Sequence, residues 1–517
     1  MRKILILTLA ALFCLQLSAQ KTRVTVGKMY KTKQEILQTA QVGDNIFATT
    51  SNPKGTKLSL ISFDKSLNFK NEMVFFDKKA KNTTNTLQGN FDFIKAYFFK
   101  DKVLYFFQTF EKTNNQTLLL CQQADYNGNF IGKFTVIDQI DDSKKRNSGK
   151  FDLVISEDST KFAVVKHLPY DKKADESVIT TSFTPDLKQI ATKEVQFPFK
   201  DKNAGIWQMQ LSNKGDLYFV LYVQLEKKQQ QKGEDNDFFS LISVNLSTDK
   251  NVSEYRLTLP QKNMLDAAIK IDNKNSRILA SGFYSDIKTS AKRTKDIDGF
   301  YYLSLDETTR KVITQETKQF PANLVNQLAS KDEDKKVKEG QGISNTFEIV
   351  GFYAKPDGSM LIVSEIRYVI ITYMRNVAFY DYYRNNLLLI SVSGDGKDIA
   401  FYDVPKRQRM TNNYSFLSAL TMQNGNDFVF AFLDNPKNIE KDIKNAKDAS
   451  YMFNPKKSVL SLIKLSGKGK ISRDDVQLDK SMKAIPIPLM GKKIGEGKYI
   501  IPLYKKKNIG MLKFELQ

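Results

Sequence analysis

The chain has 517 residues, 41% of them hydrophobic, and a formal net charge of +22. This length exceeds what one hydrophobic core organises, so the chain must divide into domains or repeated modules. Its lysines are scattered among acidic residues, as in DKKADE and DEDKKVKE, which indicates solvated faces rather than a stripe that follows phosphates. We therefore predict no nucleic-acid partner.

The first 20 residues read as a secretory signal peptide. Two basic residues at positions 2–3 precede an apolar stretch, Ile4–Leu15, and the small residues Ser18 and Ala19 suit cleavage. The apolar stretch is too short to span a bilayer, and no later segment is long and apolar enough to do so. We expect an exported protein of the periplasm, or one associated with the outer membrane, without a transmembrane segment.

The two cysteines favour neither lipid attachment nor a disulfide. Acylation of Cys14 would need a small residue before it, and Phe13 stands there, so we do not expect a lipoprotein. After cleavage Cys121 alone remains, and no disulfide within the mature chain is then available. Its position in the apolar run LLLC is typical of a small buried side chain.

One supersecondary unit recurs about eight times beyond residue 20. Each unit alternates runs rich in Val, Ile, Phe and Tyr with turns of Asp, Asn and Gly. The first four intervals between units are about 60 residues, which suits a four-stranded blade. The pattern predicts an all-β fold in which residues 21–517 form a single β-propeller of eight blades, with seven as the alternative. The third strands are predicted to begin near residues 58, 117, 177, 239, 299, 387, 459 and 509.

The two ends of the predicted propeller complement each other. The last unit stops after IGMLKFEL and lacks a fourth strand, whereas TRVTVGK at 22–28 is a spare strand. Pairing the two would leave no raw edge between the first and last blades. We predict that the amino-terminal and carboxy-terminal strands pair and close the ring.

Two segments depart from the repeated unit. A long insertion between blades at 321–346 contains the one helix candidate, residues 323–334, and a hairpin at 364–387 is predicted to project from the sixth unit. The loops between second and third strands emerge on one face of a propeller, and several of them are long. Rigid scaffolds carry long loops where they bind partners, so this face is the candidate binding face.

Side chains for catalysis or metal binding are scarce. His167 is the sole histidine, so a Ser-His-Asp triad or a His-based zinc site would depend on it alone. The chain lacks G-x-S-x-G, HExxH, CxxC and a phosphate-cradling glycine loop. We predict no cofactor and no metal. Two carboxylates could still meet in the fold, and the sequence singles out no pair.

The projecting hairpin and the segment PKRQRMTNNYS at 405–415 concentrate tyrosine and arginine, the side chains most enriched at binding hot spots. The alternative interpretation is that the tyrosines stack across the strands only to stiffen the hairpin. The predicted binding residues are Arg367, Tyr368, Tyr373, Arg375, Tyr380, Tyr382, Tyr383, Arg384, Arg407 and Arg409.

Residues 270–440 resemble a family of exported, propeller-like proteins of Bacteroidota. The shared features are a glycine-tailed lysine loop (KKVKEGQGISN), a strand–DG–strand ending in Glu (EIVGFYAKPDGSMLIVSE), the tyrosine-rich hairpin, a later DG strand followed by PKRQ, and the run FLDNPKN. ILASGFYSD and DGFYYLSLD upstream are similar as well. The hairpin tip, MRNVAFYD, departs from the Thr/Gly-rich tips of other members. The resemblance implies the fold and an envelope location but no activity.

The expected function is a non-enzymatic binding or scaffold role in the cell envelope. The long-loop face would engage an envelope protein complex or a surface glycan. The alternative is a carbohydrate-active hydrolase or lyase with its site in the central channel. The positive charge leaves open a peripheral contact with the anionic outer membrane.

Overall fold

The computed structural model describes residues 22–77, 91–127, 129–141, 146–226, 237–246, 252–287, 296–328, 343–344, 346–374, 377–439, 443, 445–476 and 484–516. The predicted signal peptide lies outside the described residues, as do Arg375 and residues 329–342 and 345 of the predicted insertion. Where the chain is described, no helix is long and apolar enough to cross a membrane.

Strands dominate the amino-terminal half. They are β1 (Arg23–Val26), β2 (Tyr30–Lys31), β3 (Glu35–Val42), β4 (Asn45–Ser51), β5 (Lys57–Phe63), β6 (Phe69–Asp77), β7 (Asp92–Phe98), β8 (Val103–Glu111), β9 (Gln116–Ala124), β10 (Phe130–Ile140), β11 (Lys150–Ile155), β12 (Phe162–His167), β13 (Asp175–Phe183), β14 (Gln189–Lys200), β15 (Ala204–Leu211), β16 (Leu217–Gln224), β17 (Asp237–Val244) and β18 (Val252–Leu257).

Within its described residues, the carboxy-terminal half contains the α-helix α1 (Ala322–Leu328) and short 3-10 helices at Pro436–Asn438, Ala446–Asp448, Pro455–Lys457 and Pro488–Met490. Its strands are β19 (Lys262–Met264), β20 (Ala268–Asp272), β21 (Arg277–Asp286), β22 (Asp296–Ile297), β23 (Gly299–Asp306), β24 (Val312–Gln319), β25 (Ile343–Ser344), β26 (Phe347–Ala354), β27 (Met360–Met374), β28 (Val377–Val392), β29 (Ile399–Thr411), β30 (Ala419–Asn424), β31 (Asp427–Asp434), β32 (Val459–Leu465), β33 (Ile471–Val476), β34 (Ile485–Pro486), β35 (Lys492–Gly495), β36 (Lys498–Lys505) and β37 (Asn508–Glu515).

The strands form antiparallel sheets of four or more strands, which we number along the chain. A two-stranded ribbon of β22 and β25 lies apart from them. The sheets are sheet 1 (β3–β6), sheet 2 (β7–β10), sheet 3 (β11–β14), sheet 4 (β15–β18), sheet 5 (β19–β21, β23 and β24), sheet 6 (β26–β29), sheet 7 (β30–β33) and sheet 8 (β34–β37 with β1 and β2).

Turn chemistry explains how successive strands reverse. Asp64 Oδ1 accepts hydrogen bonds from the backbone N–H groups of Ser66 and Asn68, so the side chain replaces backbone partners inside the turn. In the K-P-D-G-S turn between β26 and β27, Gly358 has φ of +83°, a conformation that costs glycine nothing. Seven predicted third strands, β5, β9, β13, β17, β23, β32 and β37, begin within two residues of their predicted positions. The prediction near residue 387 was wrong, because β28 begins at Val377 and includes the second strand of the hairpin.

The hydrophobic core consists of separate clusters, each filling the space between two consecutive sheets. The cluster of Phe47 and Tyr105 joins sheets 1 and 2, and similar clusters join each later sheet to the next. A further cluster, with Ile36 and Met511, joins sheet 8 back to sheet 1. The all-β propeller class is confirmed. This cyclic packing favours eight blades over seven, and the blade count stays our prediction.

The closure predicted from the sequence is confirmed. β1 pairs with β37 in antiparallel register, from Arg23 opposite Glu515 to Val26 opposite Leu512. Sheet 8 therefore contains strands from both ends of the described chain, with β36 and β34 following β37. Cys121 is buried and free, as its apolar surroundings predict.

Candidate binding surface

Sheet 6 carries an extension beyond its blade, made of residues 367–374 of β27, 377–385 of β28 and 405–411 of β29. β26 stops pairing with β27 at Phe347 opposite Ile366. β29 follows β28 further, to Thr411 opposite Asp381, and β27 and β28 continue alone to Met374 opposite Val377. The sheet extension is thus three-stranded at its base and two-stranded at its end.

A buried ion pair stabilises the base of the sheet extension. The side chains of Lys406 and Glu365 are 0% and 1% exposed, and Lys406 Nζ lies 2.8 Å from Glu365 Oε1. The same ammonium donates to the carbonyl of Arg384 and to Gln408 Oε1, so its donors are fully used. Glu365 Oε2 accepts from Ser418 Oγ at 2.7 Å. Burial by itself would raise the pKa of Glu365, but the neighbouring cations Lys406 and Arg367 outweigh it and hold this pKa below its ordinary value.

The loop after β31 docks along the outer edge of the sheet extension. Met452 donates its N–H to the carbonyl of Arg407 and accepts from the N–H of Arg409, like a short additional strand. The D-N-P-K-N run holds this loop: Asn438 Nδ2 donates to Asp434 Oδ1 and to the carbonyl of Ser450. The docked segment places Tyr451 and Phe453 beside the arginines of β29.

One face of the sheet extension gathers rings and guanidinium groups. Tyr368 and Tyr383 are cross-strand neighbours, and their rings stack at 4.5 Å between centroids. Arg407 lies over the Tyr451 ring at 3.9 Å, and Arg409 lies 5.4 Å from the Tyr383 centroid. Such contacts are favourable because the ring face is electronegative. We call Tyr368, Tyr383, Arg407, Arg409, Tyr451 and Phe453 the aromatic–arginine surface.

This surface combines fixed and accessible groups. Arg409 Nη2 is 2.8 Å from Asp381 Oδ2, which orients the guanidinium while leaving 39% of the side chain exposed. Phe453 is 59% exposed. Tyr368 is less accessible, and its burial is the main reason why its pKa is raised. The face therefore offers oriented cations and an exposed ring on a stiff support.

The opposite face holds the remaining predicted residues. Arg367 and Arg384 are paired across the strands, an arrangement of like charges that costs free energy unless acids compensate it. Glu365 and Glu348 supply this compensation, with Arg367 2.7 Å and 3.1 Å from their carboxylates. Arg384 donates a hydrogen bond to the carbonyl of Tyr383. The pKa of Arg384 is lowered mainly by burial and further by the positive charge of the facing Arg367. Arg367 therefore belongs to the internal support of the sheet extension.

Tyrosines continue along that opposite face toward the end of the hairpin. Tyr382 contacts Tyr414 at 5.2 Å between centroids and lies near Tyr380. Tyr373, near the end, is 72% exposed. The structure thus brings together Tyr368, Tyr383, Arg407 and Arg409 and separates them from Arg367, Tyr373, Tyr380, Tyr382 and Arg384, while Arg375 lies outside the described residues.

Sequence reasoning missed Tyr451, Phe453 and Asp381. Tyr451 and Phe453 come from a loop some 70 residues along the chain from the hairpin, and docking between β29 and this loop is a tertiary event. The only local signal is the Y-M-F triplet, in which alternate aromatic residues flank a methionine, the pattern of a short strand with one buried side chain. Met452 is indeed buried.

A second candidate region is a cavity of about 450 Å³ lined by inner strands of sheets 2 to 5. Its carboxylates are Asp152 and Glu157. Asp152 Oδ2 lies 2.8 Å from His167 Nε2 and 2.9 Å from Lys150 Nζ, although the His167 nitrogen makes no well-aligned hydrogen bond. His167 and Lys150 hold the pKa of Asp152 at about 2, and Glu157 pairs with Lys270 at 3.1 Å. Each lining acid thus forms an ion pair with a lysine, and the lowered pKa of Asp152 keeps that carboxyl ionised.

A further pair of acids, Glu176 and Asp201, does not line this cavity and lies where β13 begins and β14 ends. Burial is the main cause, and the neighbouring Asp201 carboxyl the second cause, that raises the pKa of Glu176 to about 8. Asp201 in turn accepts the backbone N–H of Asp171 at 2.8 Å. Both carboxyls lie where sheet 3 meets the long-loop face. Among the described residues, no group of three His, Cys, Asp or Glu side chains is placed to hold a metal ion.

No protein-family model matches the chain, and neither does any curated protein sequence. Solved structures that resemble it include a prolyl oligopeptidase B from Galerina marginata, with 9% identity and a TM-score of 0.38 over 92% of this chain and 55% of that one. Polysaccharide lyase Uly1 has 8% identity and a TM-score of 0.38 over 93% and 89%. The β-propeller domain of the Trilobed protease from Pyrococcus furiosus has 10% identity and a TM-score of 0.33 over 87% and 98%.

The chain spans about half the length of the prolyl oligopeptidases that it resembles. At these identities and TM-scores the likeness carries no argument about activity. What defines the protein at this point is its class: an all-β propeller with a projecting, aromatic-rich sheet extension.

Proposed function

We propose that the protein is a non-enzymatic binding or scaffold propeller of the cell envelope, which engages a protein partner through the aromatic–arginine surface. One observation carries the proposal: rings and guanidinium groups from the hairpin, from β29 and from a distant loop converge on one face. A hairpin that was only stiffened by stacking would need Tyr368 and Tyr383 but not the added Arg409 and Phe453, which remain exposed.

The support beneath this surface fits a binding role. Rigid presentation lowers the entropy that a partner must overcome on association. The buried Lys406–Glu365 pair and the docking of Met452 along β29 supply that rigidity. Tyr and Arg are also the residues in which interfaces concentrate their binding energy. By contrast, the two acids that line the cavity each form an ion pair with a lysine, Asp152 with Lys150 and Glu157 with Lys270, which argues against a catalytic acid there.

The test is copurification of the tagged protein from envelope fractions under mild detergent. We expect a partner to copurify with the wild type and to be lost with Tyr451→Ala/Phe453→Ala, because hot-spot truncations weaken complexes by roughly thirtyfold. Tyr170→Ala is the matched control, since Tyr170 is an exposed loop tyrosine (56%) of another sheet. Recovery of only the bare monomer, or equal losses in both variants, would refute the proposal. Binding to a purified surface glycan instead, with the same variant sensitivity, would assign the surface to a glycan.

A second candidate function, a carbohydrate-active hydrolase or lyase, is favoured by the Glu176–Asp201 carboxyl pair. A carboxyl protonated near neutral pH is suited to act as a general acid. Turnover of envelope polysaccharides that disappears in Glu176→Gln and persists in Glu157→Gln would support this function. No release of oligosaccharide by the wild type would remove it.

The predicted location and origin belong to the same proposal. We propose an exported protein of the periplasm or outer-membrane surroundings, related to the Bacteroidota family that residues 270–440 resemble. Fractionation of cells that express the full chain, followed by amino-terminal sequencing of the product, tests both cleavage after residue 20 and the compartment.

A further inference from the structure

The sole tryptophan of the chain lies on a bulge rather than in the core. In β15, the first strand of sheet 4, the register passes from Ile206 directly to Gln208, so Trp207 is the extra residue. Trp207 is 56% exposed, although a tryptophan ring is mostly buried in folded proteins. A bulge re-aims a side chain and is common next to active sites. The bulge therefore directs this indole partly into solvent.

Bulges in the first strands of other sheets show what the fold itself requires at this place. Sheets 1, 2 and 6 each have one, and the extra residues are Leu37, Ile94 and Val350. The bulge thus belongs to the repeated unit, and an aliphatic side chain suffices there. The exposed indole of sheet 4 is more than the packing of a blade needs.

A break in the neighbouring sheet brings a buried carboxylate, that of Asp266, to this indole. Residues 265–267 interrupt the first strand of sheet 5 between β19 and β20. Trp207 Nε1 donates to Asp266 Oδ1 at 3.2 Å. The backbone N–H groups of Ala267 and Ile349 donate to the same carboxylate. The indole is thereby held in one orientation, which a ligand need not impose on binding.

The break is specified by its surroundings. Leu265 donates its N–H to the carbonyl of Phe283 at 2.8 Å, and Tyr301 Oη donates to the carbonyl of Asp266 at 2.9 Å. A Cβ at Gly282 would overlap the carbonyl oxygen of Asp266, so the close approach requires glycine there. Two separate departures from regular strands, the bulge and the break, therefore converge on one pair of side chains.

The contact between sheets 4 and 5 does not depend on the indole. Gln208 exchanges two hydrogen bonds with the backbone of Ile269, at 3.1 Å and 2.7 Å. Gln210 accepts from the N–H of Ile271 at 3.0 Å. These amides join β15 to β20, which leaves the exposed indole free for another role.

The charges beside the indole are balanced. Asp266 is satisfied by its three N–H donors, and the neighbouring Glu348 lies 3.1 Å from Arg367. Neither carboxylate is left unpaired for a cationic ligand. A neutral ligand with one apolar face therefore suits the indole best.

The cavity of about 450 Å³ lies further along the same strand, and its volume is that of a small-molecule site. Met209 lines it two residues after Trp207, a distance of about 7 Å along β15. Gln210, Asn273 and Lys270 also line it and offer amide and ammonium groups to a ligand. A ligand that covers the indole can thus extend into a polar cavity, which suits hydroxyl groups rather than hydrocarbon.

A sugar ring has both properties, because its C–H groups form an apolar face and its hydroxyl groups form a polar rim. The weakly positive C–H groups are attracted to the electronegative face of an indole. We propose that Trp207 is a stacking platform for a neutral oligosaccharide whose chain extends into the cavity. The proposal concerns binding alone, without bond cleavage, and does not depend on a protein partner at the aromatic–arginine surface.

The indole is its own reporter, because Trp207 is the only tryptophan. The purified chain is titrated with cellohexaose, laminarihexaose, mannohexaose, chitohexaose and oligosaccharides released from envelope polysaccharide. We expect at least one of them to shift the tryptophan emission to the blue and to protect it from acrylamide, because the sugar covers the exposed ring. The corresponding monosaccharide should act more weakly, since it cannot reach the cavity. No change with any of these probes would overturn the proposal.

Calorimetric titration of variants assigns the site. Trp207→Ala should bind the responding oligosaccharide about tenfold or more weakly, and Trp207→Phe, which keeps a ring in place, should lose less. The matched control is Leu37→Ala, which truncates the exposed bulge residue of sheet 1 and should bind like the wild type. Unchanged affinity of Trp207→Ala, or equal losses in Trp207→Ala and Leu37→Ala, would overturn the proposal. So would a fluorescence response to choline without one to any sugar, which would assign the indole to a cation.

Discussion

Replacement of Lys406 by methionine tests whether the sheet extension depends on its buried ion pair. Lys406→Met keeps the length of the side chain and removes the ammonium, which donates to Glu365 Oε1 and the Arg384 carbonyl at 2.8 Å each and to Gln408 Oε1 at 3.0 Å. The variant leaves Glu365 as a buried anion that retains Arg367 and Ser418 as partners.

The expected cost can be worked from these contacts. Three buried acceptors lose a donor, and each unsatisfied group costs about 1–3 kcal/mol. Because Glu365 and Gln408 retain other donors, we expect about 3–5 kcal/mol in total, the range found when one partner of a buried pair is removed. The double variant Glu365→Gln/Lys406→Met should be less destabilised than the sum of the single variants, because the uncompensated charge is then absent.

Urea-induced unfolding measures the loss of stability, and hydrogen exchange at the β27–β29 amides locates it. Lys200→Met is the control, because its ion pair with Asp175 is 46% and 35% exposed and is worth about 1 kcal/mol or less. If Lys406→Met costs no more than Lys200→Met, or if exchange rises uniformly over all sheets, then the buried pair does not hold the sheet extension.

Two further predictions concern the candidate regions. Asn438→Ala should lower the free energy of unfolding by about 2 kcal/mol and speed proteolysis near Ser450, because it removes the hydrogen bonds that join the loop after β31 to Asp434. The control Asn445→Ala removes an exposed contact and should change neither quantity. For Glu176 the folded-state pKa of about 8 exceeds the ordinary value, so its contribution to stability is complete below about pH 4.5 and is lost as pH rises through 8. At pH 9, Glu176→Gln should therefore be more stable than the wild type by about 1 kcal/mol, after discounting for the half-buried position, and should melt at a higher temperature. A wild-type melting temperature that stays constant between pH 4.5 and 9 would contradict the assignment.

The sequence predicts the sheets because each strand has a local signature. Apolar runs bounded by Asp, Asn and Gly recur along the chain, at intervals of about 60 residues over the first five units and at unequal intervals afterwards. The pairing of β1 with β37 could also be predicted from the sequence, because the first segment has one strand too many and the last unit has one too few, and pairing them removes the open sheet edge. These features depend on the pattern of neighbouring residues and not on distant contacts.

The site is less accessible to the same reasoning. A lysine is normally a surface residue, so nothing in P-K-R-Q marks Lys406 as the buried partner of a glutamate 41 positions earlier. The division of the tyrosines between two faces, however, follows from strand geometry: Tyr382 and Tyr383 are consecutive and must point to opposite sides. Grouping all ten predicted residues as one surface overlooked this alternation.

The way in which the chain ends meet has a mechanical consequence. Arg23 lies opposite Glu515 at the open end of an antiparallel pair, so tension applied through both termini separates the strands one residue pair at a time. A parallel arrangement would load all of its hydrogen bonds together. Force therefore peels sheet 8 open at low resistance while the other sheets stay folded, which makes this seam the place where a stretched molecule yields first.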